Sequence, residues 1–240
     1  MKPKEWDLSG KNALVTVGGD FISSSAILAL EEAGANVCIL NFESPGSNEN
    51  KNTFFTERNN RESLVTTLDK VENQFGNIDI LVNCAQTVLG KSFVDTTDSE
   101  LNFLLDSNIR NTLIVLQEVG KKMLNHQYGR IINVISALAQ IGLKNAALYS
   151  ATQSAVEQVT KSLSLEWALE NIRINSIAMG WFKDQISDES QKQNLSKYIP
   201  LRRLGDSEEI GPLLVYLASE FSDFVTGQTI FVDGGAASHA

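Results

Sequence analysis

A chain of 240 residues is long enough for one α/β domain with a large buried core and short for two. Its 20 basic and 29 acidic residues give a net charge of −9, which argues against nucleic acid or an anionic membrane surface as a partner. No apolar run approaches the ~18 residues that span a bilayer, and the opening MKPKEWDLSGK lacks an apolar export core, so a cytoplasmic protein is expected.

Taken in order, short apolar runs alternate with longer amphipathic stretches. Residues 11–17, 36–42, 52–56, 78–84, 130–136, 172–178 and 228–233 read as strands. Their apolarity is nearly continuous, as in parallel strands covered on both faces. Between them the periodicity predicts helices over 22–33, 61–74, 98–125, 146–170 and 207–219. Residues 42–52, FESPGSNENKN, read as a solvated loop. Strand–helix alternation over the full length predicts one domain, residues 1–240. Its expected form is a Rossmann-like, doubly wound, seven-stranded parallel sheet with helices on both faces and right-handed crossovers. Cys38 and Cys84 fall in strands expected to lie two spacings apart, about 9.6 Å, beyond the ~7 Å reach of a disulfide. Two buried free thiols and no metal site are expected, and His126 reads as a helix end rather than a ligand.

Seven local motifs then become specific: LSGKNALVTVGG, NIDILVNCAQ, SNIRN, GRIINVIS, YSATQ, ENIRINSIAMG and TGQTIFVDGG. Their order and spacing resemble the short-chain dehydrogenase/reductase family over residues 6–235, with Ser136 preceding Tyr149 by the usual 13 residues. The resemblance implies catalytic positions at Asn108, Ser136 and Tyr149, followed by a lysine one helical turn on. That lysine position holds Gln153. A free tyrosine has a pKa near 10, so only ~0.1% is phenolate at pH 7. The family's lysine supplies a charge that glutamine lacks. Asn108, Ser136 and Tyr149 are therefore expected to be vestigial, hydrogen-bonding one another and holding a strand–helix junction.

The cofactor positions drift as well. The family's first turn uses glycines for the tight turn, for close approach to the pyrophosphate, and for helix–strand packing. Here those places hold Val17, Phe21 and Ser23. Valine is expected to be strained at positive φ, and the Phe21 ring to fill the phosphate volume. Asp20 is expected to cap the helix where a phosphate would bind. Asn41 stands at the ribose position, Glu57 at the adenine position, and Asn83-Cys84-Ala85-Gln86 over the adenosine. Met179–Gly180 replaces Pro-Gly, and Asp184 replaces a threonine that contacts the nicotinamide.

On these residues no cofactor is expected in this chain, and NAD or NADP is expected in an active partner. The preferred reading is a non-catalytic subunit paired with an active paralogous short-chain dehydrogenase/reductase in a hetero-oligomer, a tetramer, acting on an acyl-CoA or other acyl thioester. The pairing surfaces that the resemblance implies, at 98–125, 146–170 and the C-terminal strand, read as intact and motivate it. Two alternatives stay open: an NAD(P)-dependent oxidoreductase with an atypical site, or a small-ligand binding or regulatory protein that reuses the cleft.

Overall fold

The computed structural model describes residues 7–17, 22–42 and 52–239. Seven parallel strands form one sheet in the order β3-β2-β1-β4-β5-β6-β7. They are β1 (Asn12–Val17), β2 (Asn36–Asn41), β3 (Thr53–Phe55), β4 (Ile80–Asn83), β5 (Gly129–Ser136), β6 (Ile172–Met179) and β7 (Thr229–Val232). Each expected strand forms, because successive residues feed opposite faces that are both covered. Val15, Ile80 and Val82 pack on one face against Ile22, Ala26 and Leu30 of α1 (Ile22–Glu32). Leu14 and Leu81 pack on the other. There they meet Leu64 and Leu68 of α2 (Arg61–Phe75) and Leu116 of α4 (Asn111–His126).

Local chemistry sets the helix ends. The Asn60 side chain accepts the Ser63 N–H to open α2, which closes at Gly76 with φ 89°. Thr97 and Glu100 form a capping box before α3 (Asp98–Leu104). The single helix expected over 98–125 is interrupted, because a π-helical stretch, Leu105–Arg110, separates α3 from α4. α5 is Ala147–Trp167. The helix expected over 207–219 starts as a 3₁₀ turn, Ser207–Ile210, before α7 (Gly211–Ala218), with Pro212 in the first turn where its missing N–H is not needed. Sequence periodicity missed α6 (Glu189–Tyr198), which buries no residue and starts where Asp188 accepts the Ser190 and Gln191 N–H groups.

A polar row crosses the apolar sheet, from the carboxyl ends of β1 and β4 through the middle of β5 and β6 to the start of β7. Thr16, Asn83, Asn133, Ser176 and Thr229 stand opposite one another on β1, β4, β5, β6 and β7. Asn83 Nδ2 donates to Asn133 Oδ1 at 2.8 Å, and Asn133 Nδ2 donates to Thr160 Oγ1 of α5 at 2.8 Å. The Thr160 and Ser176 hydroxyls are 3.0 Å apart. Thr16 Oγ1 accepts the Cys84 and Ala85 N–H groups at 3.1 and 3.2 Å.

Cys38 and Cys84 are buried and unbridged, and burial pushes the Cys38 thiol up to about 12. Among the described residues no helix is long and apolar enough to cross a membrane, and no cluster of His, Cys, Asp and Glu could hold a metal ion.

Candidate active site

The strand order reverses around β1 and β4, and in such sheets the crevice beyond the carboxyl ends of the strands is the place for a ligand. The segment after β4, the end of β5, the turn after β6 and the start of α5 meet there. They enclose a cavity of about 780 Å3. Gln86, Ser136 and Tyr149 form part of its wall, and Leu138, Ile141 and Ile186 form an apolar part.

Tyr149 lies in the first turn of α5 and is 5% exposed. Its hydroxyl donates to Gln86 Oε1 at 2.9 Å. Burial pushes the phenol up to about 12, against a downward pull from its hydrogen bond with Ser136. One turn along α5, Gln153 is also buried, and its Oε1 accepts the Ser136 N–H at 2.9 Å. Ser136 Oγ in turn accepts the Leu138 N–H at 3.1 Å.

Asn108 sits in the π-helical stretch, a common place for functional side chains. Its Oδ1 accepts the Thr87 N–H at 2.7 Å, and its Nδ2 donates to the Thr87 carbonyl at 2.8 Å and to Thr152 Oγ1 at 3.1 Å. The structure thus gathers Ser136, Tyr149 and Gln153, while Asn108 grips the segment beside them. The expectation that Asn108, Ser136 and Tyr149 bond one another holds for Ser136 and Tyr149 and is corrected for Asn108, whose partners are Thr87 and Thr152. Sequence reasoning treated Gln86 as a lost glycine and missed its contact with Tyr149, since only the packing of α5 over the segment after β4 brings the two together.

The degenerate positions take a different meaning in place. Val17 ends β1 in register with Asn41 and is not among the residues with positive φ. The strain expected there does not arise, because the chain stays extended through that residue. Ser23 is buried in the first turn of an intact α1, so its hydroxymethyl group fits the helix–strand contact. Gly18, Gly19, Asp20 and Phe21 lie outside the described residues, and with them the expected cap and the expected filling of the phosphate volume. Glu57 Oε2 accepts Asn60 Nδ2 at 2.7 Å, beside the start of α2. Asp184 lies in a 3₁₀ turn, Lys183–Gln185, on the cavity wall. Gly180 is required sterically, since a Cβ there would stand 2.7 Å from the Asp233 Cα.

Among the described residues, the groups on the cavity wall suit the nicotinamide end of a dinucleotide, while the turn before α1 that would meet its phosphates lies outside the described residues. The first turn of α1 carries no acidic residue, which suits an anionic group at that helix end. The Asn41 amide closes β2 with both a donor and an acceptor, and the Tyr149 and Ser136 hydroxyl groups stand on the wall of the cavity.

Fold and site together define a doubly wound α/β protein with a tyrosine–serine pair at the carboxyl edge of its sheet. A family model described as enoyl-(acyl carrier protein) reductase matches residues 22–237. The chain belongs to the short-chain dehydrogenase/reductase family. It is 32% identical to the 3-oxoacyl-[acyl-carrier-protein] reductase FabG of Rickettsia typhi over 240 residues, covering 95% of this chain and 98% of that protein. It is 34% identical to the 2-dehydro-3-deoxy-D-gluconate 5-dehydrogenase of Bacillus subtilis over 243 residues, 96% of each. A gluconate 5-dehydrogenase from Burkholderia cenocepacia J2315, solved in complex with NADP and tartrate, matches with a TM-score of 0.90 at 29% identity, over 99% of both chains.

These relatives overturn two expectations, a non-catalytic supporting subunit and a chain without cofactor. Proteins similar along nearly the whole length are named as reductases and dehydrogenases, and a solved one holds NADP. The expectation rested on Val17, Phe21 and Ser23 in the first turn, on the drift at Asn41, Glu57, Gln86, Met179 and Asp184, and on Gln153 in place of lysine, each judged by residue type alone. Val17 and Ser23 leave the strand and helix that frame the site unchanged.

Proposed function

We propose that this chain is itself an NAD(P)-dependent oxidoreductase with an atypical site, interconverting a carbonyl compound and its alcohol in the cavity at the carboxyl edge of the sheet. The observation that carries this reading is the buried Tyr149 phenol standing with Ser136 on the wall of that cavity, in a frame shared with an NADP-bound relative. The nicotinamide cofactor, when bound, supplies or accepts the hydride at the carbon. The chain's own residues handle the oxygen. In reduction, the Tyr149 hydroxyl delivers its proton to the carbonyl oxygen, and the Ser136 hydroxyl hydrogen-bonds that same oxygen. Asn108 keeps the neighbouring segment in place through Thr87.

The wall also favours a substrate class. Leu138, Ile141, Leu143, Ile186 and Leu195 give most of it an apolar character. Such a wall suits a ketone on an apolar body, as in a 3-oxoacyl thioester, better than a polyhydroxylated sugar acid, whose hydroxyl groups would lose their hydrogen bonds with water.

Calorimetry with NADH and NADPH on the isolated chain tests the reading, followed by spectrophotometric turnover of 3-oxoacyl thioesters and sugar acids. Saturable binding of one cofactor is expected, with turnover of the thioester. Tyr149→Phe is expected to bind cofactor normally and to lose turnover by at least about a hundredfold, the usual scale for a general acid. No heat of binding at millimolar cofactor refutes it.

A further inference from the structure

The Tyr149 hydroxyl is already engaged. Its proton points to Gln86 Oε1 at 2.9 Å, and Gln86 is delivered there by a segment fixed on both sides. Before Gln86, the Thr16 hydroxyl accepts the backbone N–H groups of Cys84 and Ala85. After it, the Asn108 side chain pairs with both backbone polar groups of Thr87, at 2.7 and 2.8 Å. Asn108 is itself tied to α5, the helix that carries Tyr149, through Thr152. Phenol and amide are therefore set against each other through one connected set of hydrogen bonds, although they are 63 residues apart in the chain.

No cation favours the phenolate from one turn below, since Gln153 stands there with its carbonyl end held by the Ser136 N–H. The cavity wall carries two charged groups, Lys144 and Asp184, one of each sign. The influences resolved on the phenol are burial and the Ser136 hydroxyl, and burial dominates. A hydrogen bond donated by the phenol to an amide oxygen favours the neutral form further.

We infer that Gln86 is a positioning residue: it holds Tyr149 as a neutral proton donor facing the cavity, and a substrate carbonyl oxygen binds by taking its place on the phenol proton. This rests on the oxidoreductase reading above, since it gives the displaced amide its purpose. The exchange breaks one hydrogen bond and makes one of the same kind, so no covalent bond changes on binding. A carbonyl compound therefore competes with a group of the protein itself. An alcohol, which brings its own proton, finds Tyr149 with no base form to receive it until the solution is strongly alkaline.

The test uses Gln86→Ala and Gln86→Glu beside the native chain. The first readout needs neither cofactor nor substrate: alkaline titration of phenol absorbance near 295 nm, with the Tyr149→Phe curve subtracted. Removing the acceptor in Gln86→Ala is expected to lower the Tyr149 midpoint by about one pH unit, the size of one hydrogen bond's effect. Gln86→Glu keeps an acceptor and adds a negative charge, so it is expected to raise the midpoint above the native one. The second readout is kinetic. Gln86→Ala is expected to lower KM for the carbonyl compound several-fold, because the internal competitor is gone, with a smaller change in kcat.

A merely structural role for Gln86 predicts lower thermal stability with an unmoved titration midpoint and no split between KM and kcat, and that result overturns the inference. If the midpoints move as stated but no variant binds cofactor, the oxidoreductase reading fails while the placement of the phenol stands. If turnover is present and the midpoints do not move, the inference alone fails.

Discussion

Replacing Gln153 by lysine places a cation one helical turn from Tyr149. Side chains four residues apart on a helix lie about 5–6 Å apart at Cβ. A unit charge about 5 Å from the phenolate oxygen, at an effective dielectric constant of about 20, stabilises it by roughly 3 kcal/mol. At ~1.4 kcal/mol per unit, the midpoint moves down by about 2.4 units. The native phenol, pushed up to about 12 by burial, is then expected to titrate near pH ~9.5 in the variant. The substitution has a structural cost. Gln153 Oε1 accepts the half-buried Ser136 N–H at 2.9 Å, and a lysine cannot, so stability falls by about 1 kcal/mol. Absorbance near 295 nm through an alkaline titration, with Tyr149→Phe subtracted, gives the midpoint, and urea unfolding gives the cost. In alcohol oxidation, where Tyr149 must accept a proton, the native rate is expected to climb tenfold per pH unit past pH ~10, and the variant rate to level off near pH ~9.5. A native midpoint near 10, or a variant midpoint equal to the native one, refutes the reasoning.

Three further outcomes follow from packing and charge. Gly120 faces Trp167, and a Cβ there would stand 2.6 Å from the ring, so Gly120→Ala is expected to destabilise by about 1–3 kcal/mol in urea unfolding. At Gly129 the obstacle is the fully buried Met123, whose Sδ, Cγ and Cβ would stand 2.5, 3.1 and 3.2 Å from an added Cβ, so Gly129→Ala is expected to cost a similar amount. Burial works to raise the pKa of Glu118, but hydrogen bonds from Lys121 and Arg61 outweigh it and hold its carboxyl below the usual range. A lowered folded-state pKa stabilises the fold fully above the ordinary glutamate value of about 4.3 and is lost as pH falls through the folded value. The urea midpoint of the native chain is therefore expected to drop more steeply from pH 5 to 3 than that of Glu118→Gln, and equal slopes count against the assignment.

Much of this architecture was legible. The inner strands, buried on both faces, read as nearly unbroken apolar runs, and β3 and β7 as shorter aromatic ones, so all seven were visible, with ends displaced by only a residue or two. The π-helical stretch at Leu105–Arg110 was not, because apolar spacing looks helical on both sides of it and the change lies in the backbone bonding. ESQKQNLSKY escaped for the opposite reason, a helix that buries nothing and so shows no stripe. In the site, motif spacing located Ser136, Tyr149 and the absent lysine. It could not show that Gln86 reaches the phenol, nor that Val17 keeps its strand conformation. The first depends on tertiary packing, the second on a backbone path that residue identity constrains only loosely.

Strands that are apolar on both faces can slide by two residues and still bury a complete set of methyl groups on each side. The row Thr16–Asn83–Asn133–Ser176 removes that ambiguity. Were β4 displaced by two residues along β5, Asn83 would face Ile131 or Ile135 instead of Asn133. Each amide left dry and unpaired would cost about 1–3 kcal/mol. At about 3.3 Å per residue the same slip would carry Ser136 some 6.6 Å along the sheet, away from the segment bearing Gln86. The row therefore sets the registers of β1, β4, β5 and β6 apart in free energy from neighbours that would bury the methyl groups equally well.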